Sequence, residues 1–176
     1  MTETLIRIPT LETERLRMRA PVASDFEPYA EFCASDRAAG VGGPYTRVQA
    51  FDRLAGVVGH WVLRGYGRWV VADRQTDIPL GVVGLMFPED WPEPEIAWSV
   101  FEAAEGKGFV TEAALRSRDF AYEVLGWETA ISCTIEGNER SENVAKRMGA
   151  TFDGTYDHPR HGMMNIWRHL SPEALQ

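Results

Sequence analysis

The stretch EGKGFVTEAA, from Glu105 to Ala114, places two glycines around a lysine and continues with residues that favour a helix. The first turn of a helix leaves backbone N–H groups without intrahelical partners, and the helix dipole makes this end positive. Glycine removes the Cβ that would keep a ligand away, and Lys107 adds charge. The stretch is therefore either a phosphate-binding turn or an ordinary glycine-rich turn, and it lacks the spacing of a Walker P-loop.

The segments on either side of this turn predict a mixed α/β domain. The predicted elements are, in order, a strand in RLRMRA, a helix capped by Ser24 or Asp25, a helix from about Val48 to Arg64, strands in RWVVAD, PLGVVGLMF and EIAWSVF, the helix after the glycines ending near Gly126, a strand in TAISCTI, a helix in NERSENVAKRMGA, and strands around TFDGTYD and MMNIWRHL. This order, β α α β β β α β α β β, predicts a mixed sheet with helices on its faces.

Length and composition predict one domain over residues 1–176, because 44% hydrophobic residues suffice for a substantial core. No apolar run approaches the roughly 18 residues of a membrane span, and the N-terminus lacks the features of a signal peptide. We therefore expect a cytoplasmic protein with no membrane partner. Cys33 and Cys133 lie far apart without metal-ligand spacing, so both are interpreted as reduced and structural.

The formal net charge of −8 argues against nucleic acid as a partner, because phosphates would be repelled. The same charge favours a cationic small molecule or a basic peptide as the ligand. Excess surface carboxylates can also serve solubility alone.

Several segments together resemble the GCN5-related N-acetyltransferase (GNAT) family, particularly the branch that acetylates N-terminal amines of ribosomal proteins. The segments that carry the resemblance are TERLRMRAPVASDF, GVVGL, EIAWSV, EGKGFVTEA and NERSENVAKRMGA, in this order. The resemblance implies a single domain with a central, mostly antiparallel, splayed sheet flanked by helices. It also implies acetyl-CoA as cosubstrate and an amine acceptor, which is a small molecule or a protein N-terminus.

The resemblance further implies where the cosubstrate binds. The glycine turn would hold the pyrophosphate, EIAWSV would lie beside the pantetheine arm, and a backbone N–H from this strand would stabilise the oxyanion. The residues assigned to cofactor binding in this way are Trp98, Ser99, Val100, Glu105, Gly106, Lys107, Gly108, Phe109, Val110, Thr111 and Asn138. For Asn138, capping of the following helix is the competing interpretation.

Acetyl transfer to an amine needs a neutral nucleophile and a proton for the departing thiolate. Glu95 begins the strand that leads to the expected thioester site, so it is the candidate general base; a strand-end carboxylate in a salt bridge is the alternative. Ser141 follows Asn138 by three residues, as in the family's Asn-x-x-Ser pattern, and its hydroxyl is the candidate donor to the leaving sulfur. Its alternative is a place in the first turn of a capped helix.

Three positions depart from the family pattern. Glu105 and Val110 replace the usual first and last residues of the turn, and Ala145 stands where many relatives have a tyrosine. A carboxylate beside a pyrophosphate is electrostatically unfavourable unless it points outward. These departures leave a second hypothesis open, a non-catalytic acyl-CoA-binding or sensor protein.

The remaining candidate residues receive simpler interpretations. His158 and His161 in DHPRH resemble a metal pair, but no further ligand has suitable spacing, so we expect a loop and no metal. Trp61 and Trp69 are interpreted as core residues, and Trp91, like Trp98, as a candidate for substrate contact. Tyr66 is assigned, with Trp61 and Trp69, to the core or to helix packing; the alternative is that some of the three line an acceptor pocket. Exposed strand edges near the C-terminus favour a homodimer.

Overall fold

Eight strands form one sheet with helices on both faces in the computed structural model, which describes residues 6–176. The strands are β1 (Leu11–Glu12), β2 (Leu16–Arg19), β3 (Arg68–Asp73), β4 (Pro79–Met86), β5 (Glu95–Val100), β6 (Ile131–Ile135), β7 (Thr151–His158) and β8 (Gly162–Arg168). The helices are α1 (Phe26–Ala34), α2 (Arg47–Arg64), α3 (Phe109–Glu123) and α4 (Glu139–Arg147), with short 3₁₀ turns between them.

The sheet order is β1-β2-β3-β4-β5-β6-β8-β7, and every neighbouring pair is antiparallel except β5 with β6. This confirms the mixed, mostly antiparallel sheet predicted from the sequence. The one strand that the sequence pattern missed is β1, which has two residues and is therefore too short to show alternation. The edges of the sheet are β1 and β7.

The parallel pair β5 and β6 separates soon after it begins. Its register has a single pair, Glu95 with Ile131. Beyond that pair, the Ser132 hydroxyl donates to the carbonyl of Ile96 at 2.6 Å, and the backbone N–H of Cys133 donates to Oε1 of Glu95 at 2.8 Å. Side-chain hydrogen bonds thus replace the backbone ladder, and the two strands diverge to leave a gap in the sheet.

Small residues let α3 lie close against one face of this sheet. Ala113, Ala114 and Ala121 are completely buried there, together with the fully buried Trp69 of β3. Trp61 of α2 is also buried and meets Trp69 edge to face, with ring centroids 4.9 Å apart. The prediction that these two tryptophans belong to the core is confirmed.

The opposite face is covered by α1 and α2, which pack on Val70 and Val82. α2 begins at a capping box, in which the Thr46 hydroxyl accepts from the N–H of Gln49, and it ends at Gly65, whose φ of 75° suits glycine. None of the helices within residues 6–176 is long and apolar enough to cross a membrane. Because α3 covers one face of the sheet and α1 and α2 cover the other, the gap between β5 and β6 opens between two covered faces.

Candidate active site

A cleft of about 1100 Å³ lies between the starts of α3 and α4 and the diverging part of β5, and we call it the main cleft. Its lining includes Trp98, Ser99, Val100, Glu105, Gly106, Gly108, Phe109, Val110, Thr111, Asn138 and Ser141. Of the residues assigned to cofactor binding from the sequence, Lys107 alone does not line it. Its ammonium donates to the carbonyl of Ala103 at 2.7 Å.

The glycine turn adopts a conformation that other residues rarely take. Gly106 has a φ of 74° and Gly108 a φ of 79°, and Gly108 is the N-cap of α3. No side chain caps this helix. The first-turn N–H groups of α3 therefore face the main cleft without a side-chain acceptor, which is the arrangement that binds anions at helix N-termini.

An arginine from outside the turn holds it in place. Nη1 of Arg15 donates to the carbonyl of Lys107 at 3.0 Å, and its guanidinium lies 4.6 Å from the ring centroid of Phe109. Arg15 also pairs with Glu112 at 2.6 Å, and Glu112 accepts from the Thr13 hydroxyl. The sequence analysis did not single out Arg15 and Glu112: both lie in segments that carry the family resemblance, but they are 97 positions apart and no local pattern shows that they meet.

Two arginines neutralise Glu105 at the main cleft. The carboxylate accepts from Arg37 and, at 2.9 Å, from Arg140. The hydrogen bond from Arg37 is the largest of the effects that lower the pKa of Glu105. The negative charge expected to oppose a pyrophosphate is therefore offset, since both arginines also line the cleft.

The backbone of β5 offers two unpaired positions to the gap. The N–H of Phe101, directly after β5, donates to the carbonyl of Leu80 on the β4 side. The carbonyl of Ile96 accepts from the Ser132 hydroxyl on the β6 side. Because backbone groups of successive strand residues point to opposite sides, Trp98 and Val100 direct their N–H groups toward the gap. The N–H of Ser99 points into the β4 ladder, so Trp98 and Val100 are the two oxyanion donors that remain from the predicted trio.

A second cavity of about 320 Å³, which we call the side pocket, meets the main cleft at Trp98, Ser99 and Ser141. Glu95 lies in this pocket and is only 4% exposed. Its Oε1 accepts from the N–H of Cys133, and its Oε2 accepts from the indole N–H of Trp91. Burial raises the pKa of Glu95 to about 7, although both hydrogen bonds and the charge of Arg68 oppose that rise.

Asn138 and Ser141 both belong to the start of α4. Asn138 is the N-cap, and its Oδ1 accepts from the N–H of Ser141 at 3.3 Å, so its capping interpretation is confirmed. The Ser141 hydroxyl lies 3.4 Å from the indole nitrogen of Trp98. Ala145 is completely buried, and Trp98 packs against the small cluster that contains it. An aromatic ring of β5 thus lies near the position where relatives carry a tyrosine.

The two histidines of DHPRH shape a turn. Nδ1 of His158 accepts from the N–H groups of Arg160 and His161, at 3.0 and 3.2 Å, and so closes the connection between β7 and β8. Trp91 packs edge to face on His158, with ring centroids 4.8 Å apart. Within residues 6–176 no group of three or more His, Cys, Asp or Glu side chains is arranged to hold a metal ion.

Besides Arg15, the sequence analysis did not single out the other arginines near the two cavities. Arg53 of α2 and Arg68 of β3 line the side pocket, and Arg147 of α4 lines the main cleft. Each lies in a helix or strand that was predicted from other residues of the same segment. No local signal distinguishes them from ordinary surface arginines, because only the tertiary fold brings them to the cavities.

Comparison with known proteins gives one family and several related folds. Residues 15–151 match the family model described as the acetyltransferase (GNAT) domain. An acetyltransferase from Agrobacterium tumefaciens str. C58 has a TM-score of 0.87 at 32% identity, over 97% of this chain and 99% of that one. A ribosomal L7/L12 α-N-protein acetyltransferase in complex with coenzyme A has a TM-score of 0.75 at 14% identity, over 93% and 98%. The ribosomal-protein-S5-alanine acetyltransferase from Vibrio fischeri has a TM-score of 0.71 at 17% identity, over 95% and 99%. The last two share the fold.

The raised pKa of Glu95 predicts a specific dependence of stability on pH. Between the ordinary value of 4.5 and about 7, the folded protein holds a proton that the unfolded chain has lost, so the free energy of unfolding should fall as the pH rises through this window. The contribution lost amounts to about 3 kcal/mol. Denaturant unfolding from pH 5 to pH 8 should show that Glu95→Gln gains stability relative to wild type as the pH rises.

Glu93→Gln is the matched control for this measurement. Glu93 pairs with Arg168 at 2.6 Å, and that hydrogen bond lowers its pKa, so its removal should not produce a gain that grows with pH. A constant stability difference between Glu95→Gln and wild type from pH 5 to pH 8 would contradict a raised pKa at Glu95.

Proposed function

Because the chain belongs to the GNAT acetyltransferase family, we propose that it moves the acetyl group of acetyl-CoA directly to a primary amine, without a covalent enzyme intermediate. The acceptor is a small-molecule amine or a protein N-terminus. The observation that carries the proposal is Glu95, a buried carboxyl with a pKa of about 7 in a pocket that opens into the main cleft. A base of this pKa is half ionised near neutral pH, where proton transfer from an amine is most effective.

The main cleft suits a long anionic cosubstrate such as acetyl-CoA. The first-turn N–H groups of α3 would donate hydrogen bonds to the pyrophosphate, and the cleft extends from there along β5 to Ser141. Arg37 and Arg140 are near enough to the turn to contribute positive charge, since both bind Glu105. The resemblance of the chain to a fold that holds coenzyme A in another protein supports this use of the cleft.

The transfer step can be assigned to residues at the junction of the two cavities. The amine nitrogen attacks the thioester carbonyl carbon and forms a C–N bond, and Glu95 accepts the proton that the amine loses. The N–H of Trp98 or Val100 stabilises the negative charge on the carbonyl oxygen. Breakage of the C–S bond then releases the thiolate of coenzyme A, which takes a proton through the Ser141 hydroxyl as that hydroxyl is reprotonated by water from the open cleft.

In this arrangement, two of the three departures from the family pattern no longer argue against acetyl transfer. Glu105 is neutralised by Arg37 and Arg140, so it need not repel a pyrophosphate. Ser141 can serve as the proton donor without a tyrosine at position 145, because its hydroxyl lines both cavities. Of the three departures that left the non-catalytic sensor hypothesis open, Val110 at the end of the turn is the one that this arrangement does not address.

The direct test is release of free coenzyme A thiol from acetyl-CoA in the presence of a broad panel of amines, with the acetylated product identified by mass spectrometry. We expect thiol release that depends on the amine. Tight binding of acetyl-CoA without turnover across the panel would contradict the proposal and support a sensor.

Glu95→Gln should reduce turnover most at low pH. The variant cannot accept a proton, so it depends on amine that has already lost its proton in solution, and the rate should recover partly as the pH rises. The loss at pH 7 should be about 10²- to 10⁴-fold. The measurement is kcat from pH 6 to pH 10 with one acceptor, and a profile identical to wild type would assign the base elsewhere.

Ser141→Ala should instead lower kcat at every pH, because the thiolate then lacks its donor whatever the protonation state of the amine. Its dissociation constant for acetyl-CoA should stay near that of wild type. Ser171→Ala provides a matched serine variant outside both cavities and should turn over normally. Wild-type kcat in Ser141→Ala would exclude the hydroxyl as the donor.

Glu105→Gln should bind coenzyme A more tightly, because loss of the carboxylate frees Arg37 and Arg140 for phosphate. The gain should be about 2- to 5-fold at low salt and should shrink as ionic strength rises. Glu102→Gln is the control, since Glu102 also pairs with Arg37 but is 83% exposed and lies outside the cleft lining. Equal affinity of Glu105→Gln and wild type at low salt would show that the carboxylate does not oppose the ligand.

A further inference from the structure

Two arginines of the side pocket, Arg53 and Arg68, have no carboxylate partner among the described residues. Arg53 reaches the pocket from α2 and Arg68 from the first position of β3. None of the ion pairs formed within residues 6–176 includes either of them, whereas Arg160 in the same pocket pairs with Asp90. Nε of Arg53 is buried and has no hydrogen-bond partner among the described residues.

Aromatic groups hold the Arg53 guanidinium without neutralising it. The guanidinium carbon of Arg53 lies 4.2 Å from the ring centroid of Tyr45, and Arg53 is also near the Tyr29 hydroxyl. Burial lowers the pKa of Arg68, and the neighbouring charge of Arg53 lowers it further, against opposing effects of Tyr29 and of Glu95, with which Arg68 forms no ion pair. Two like charges that are partly desolvated and close together are unfavourable without a counterion, so the pocket is organised to receive an anion.

The side pocket has little negative charge of its own. Glu95 is its one lining carboxyl among the described residues. Its two oxygens accept hydrogen bonds from the N–H of Cys133 and the indole N–H of Trp91. The two lining histidines, His60 and His161, both have a pKa lowered by burial and add no fixed charge at neutral pH. Arg53 and Arg68 are therefore the free fixed charges of the pocket.

These arginines are separate from the cosubstrate site. The arginines that line the main cleft are Arg37, Arg140 and Arg147, and neither Arg53 nor Arg68 is among them. The two cavities share the lining residues Gly40, Val41, Trp98, Ser99, Ile135 and Ser141, and the transfer would take place near Trp98 and Ser141. An anion held by Arg53 and Arg68 would thus belong to the acceptor.

We infer that the acceptor is a small amino carboxylate, whose carboxylate binds Arg53 and Arg68 while its amine faces Glu95. This inference rests on the proposed acetyl transfer. The pocket volume of about 320 Å³ suits a molecule of amino-acid size, and guanidinium groups match a carboxylate in shape as well as charge. It departs from the cationic acceptor that the net charge of −8 suggests. The charges of Arg53 and Arg68 in the pocket outweigh the net charge of the whole protein, because they are the ones at contact distance from the acceptor.

The experiment compares matched acceptors on the wild-type protein. Each α-amino acid is tested beside its α-carboxamide and the amine that lacks the carboxyl group, and short peptides with an acidic first residue form a further arm. We expect kcat/KM for the amino acid to exceed that for its uncharged analogues about 10- to 100-fold, because a hydrogen-bonded ion pair is lost in the analogues. Preference for the acidic peptides over free amino acids would overturn the small-molecule assignment.

Variants of the two arginines locate the recognition. In Arg53→Gln and Arg68→Gln the ratio of kcat/KM for the amino acid to kcat/KM for its carboxamide should fall about 10- to 100-fold, so that the preference disappears; the ratio is the readout because the charge of Arg68 also acts on the pKa of Glu95 and so on both acceptors. Arg68→Lys should restore part of it. Arg64→Gln is the control, because Arg64 lies on the same helix as Arg53 but pairs with Glu89 outside the pocket.

The outcomes separate this inference from the function on which it rests. Carboxamides or simple amines that are acetylated as well as the amino acids would overturn the inference and leave acetyl transfer intact. If acetyl-CoA binds and no acceptor of any arm is acetylated, the proposed function fails and the inference fails with it. A variant that does not fold leaves the comparison of acceptors on the wild-type protein to decide.

Discussion

The divergence of β5 from β6 is the constraint on which the site depends. A continuous parallel ladder would use the backbone groups of Trp98 and Val100, and no cleft would open between the strands. The separation begins directly after the pair Glu95 and Ile131. Unpaired backbone groups are costly when they are buried, so a ligand that hydrogen-bonds to them is favoured at this gap and not elsewhere on the sheet.

Glu95 couples that separation to the chemistry. Its carboxyl accepts the N–H of Cys133, which would otherwise lack a partner on the departing strand, and so it stabilises the fork itself. The same burial that this position requires raises its pKa toward neutrality. A residue placed for structural reasons at the end of the ladder thereby acquires the protonation behaviour of a base. Trp91 also stabilises this arrangement, because its indole donates to the other oxygen of Glu95, and the same hydrogen bond limits the rise in the pKa.

Local patterns in the sequence were enough for the scaffold and for much of the cleft. Apolar periodicity predicted the helices and seven strands, and the glycines around Lys107 marked the start of α3, because turns and amphipathic faces depend on neighbouring residues. The electrostatic arrangement could not be predicted in this way. Arg37 meets Glu105 across 68 positions, and Arg53 and Arg68 share a pocket only through the packing of α2 on the sheet. The sequence likewise could not distinguish the N–H of Ser99 from those of Trp98 and Val100, since that depends on which neighbour each side of β5 pairs with.

The distribution of charge explains how an acidic protein can bind anionic ligands. A net charge of −8 repels an anion at long range, but that field is screened over about 10 Å at moderate ionic strength. Within the cavities the relevant groups are at contact distance and partly removed from water, where each charge acts more strongly. Arg37 and Arg140 both pair with Glu105 at the cleft, so a phosphate there would replace an existing carboxylate as their partner. Arg53 and Arg68 form no ion pair with a carboxylate of the described residues, so an anion in the side pocket would displace none. Binding of the proposed cosubstrate in the cleft would therefore exchange one anion for another, while binding of the proposed acceptor in the side pocket would supply a counterion.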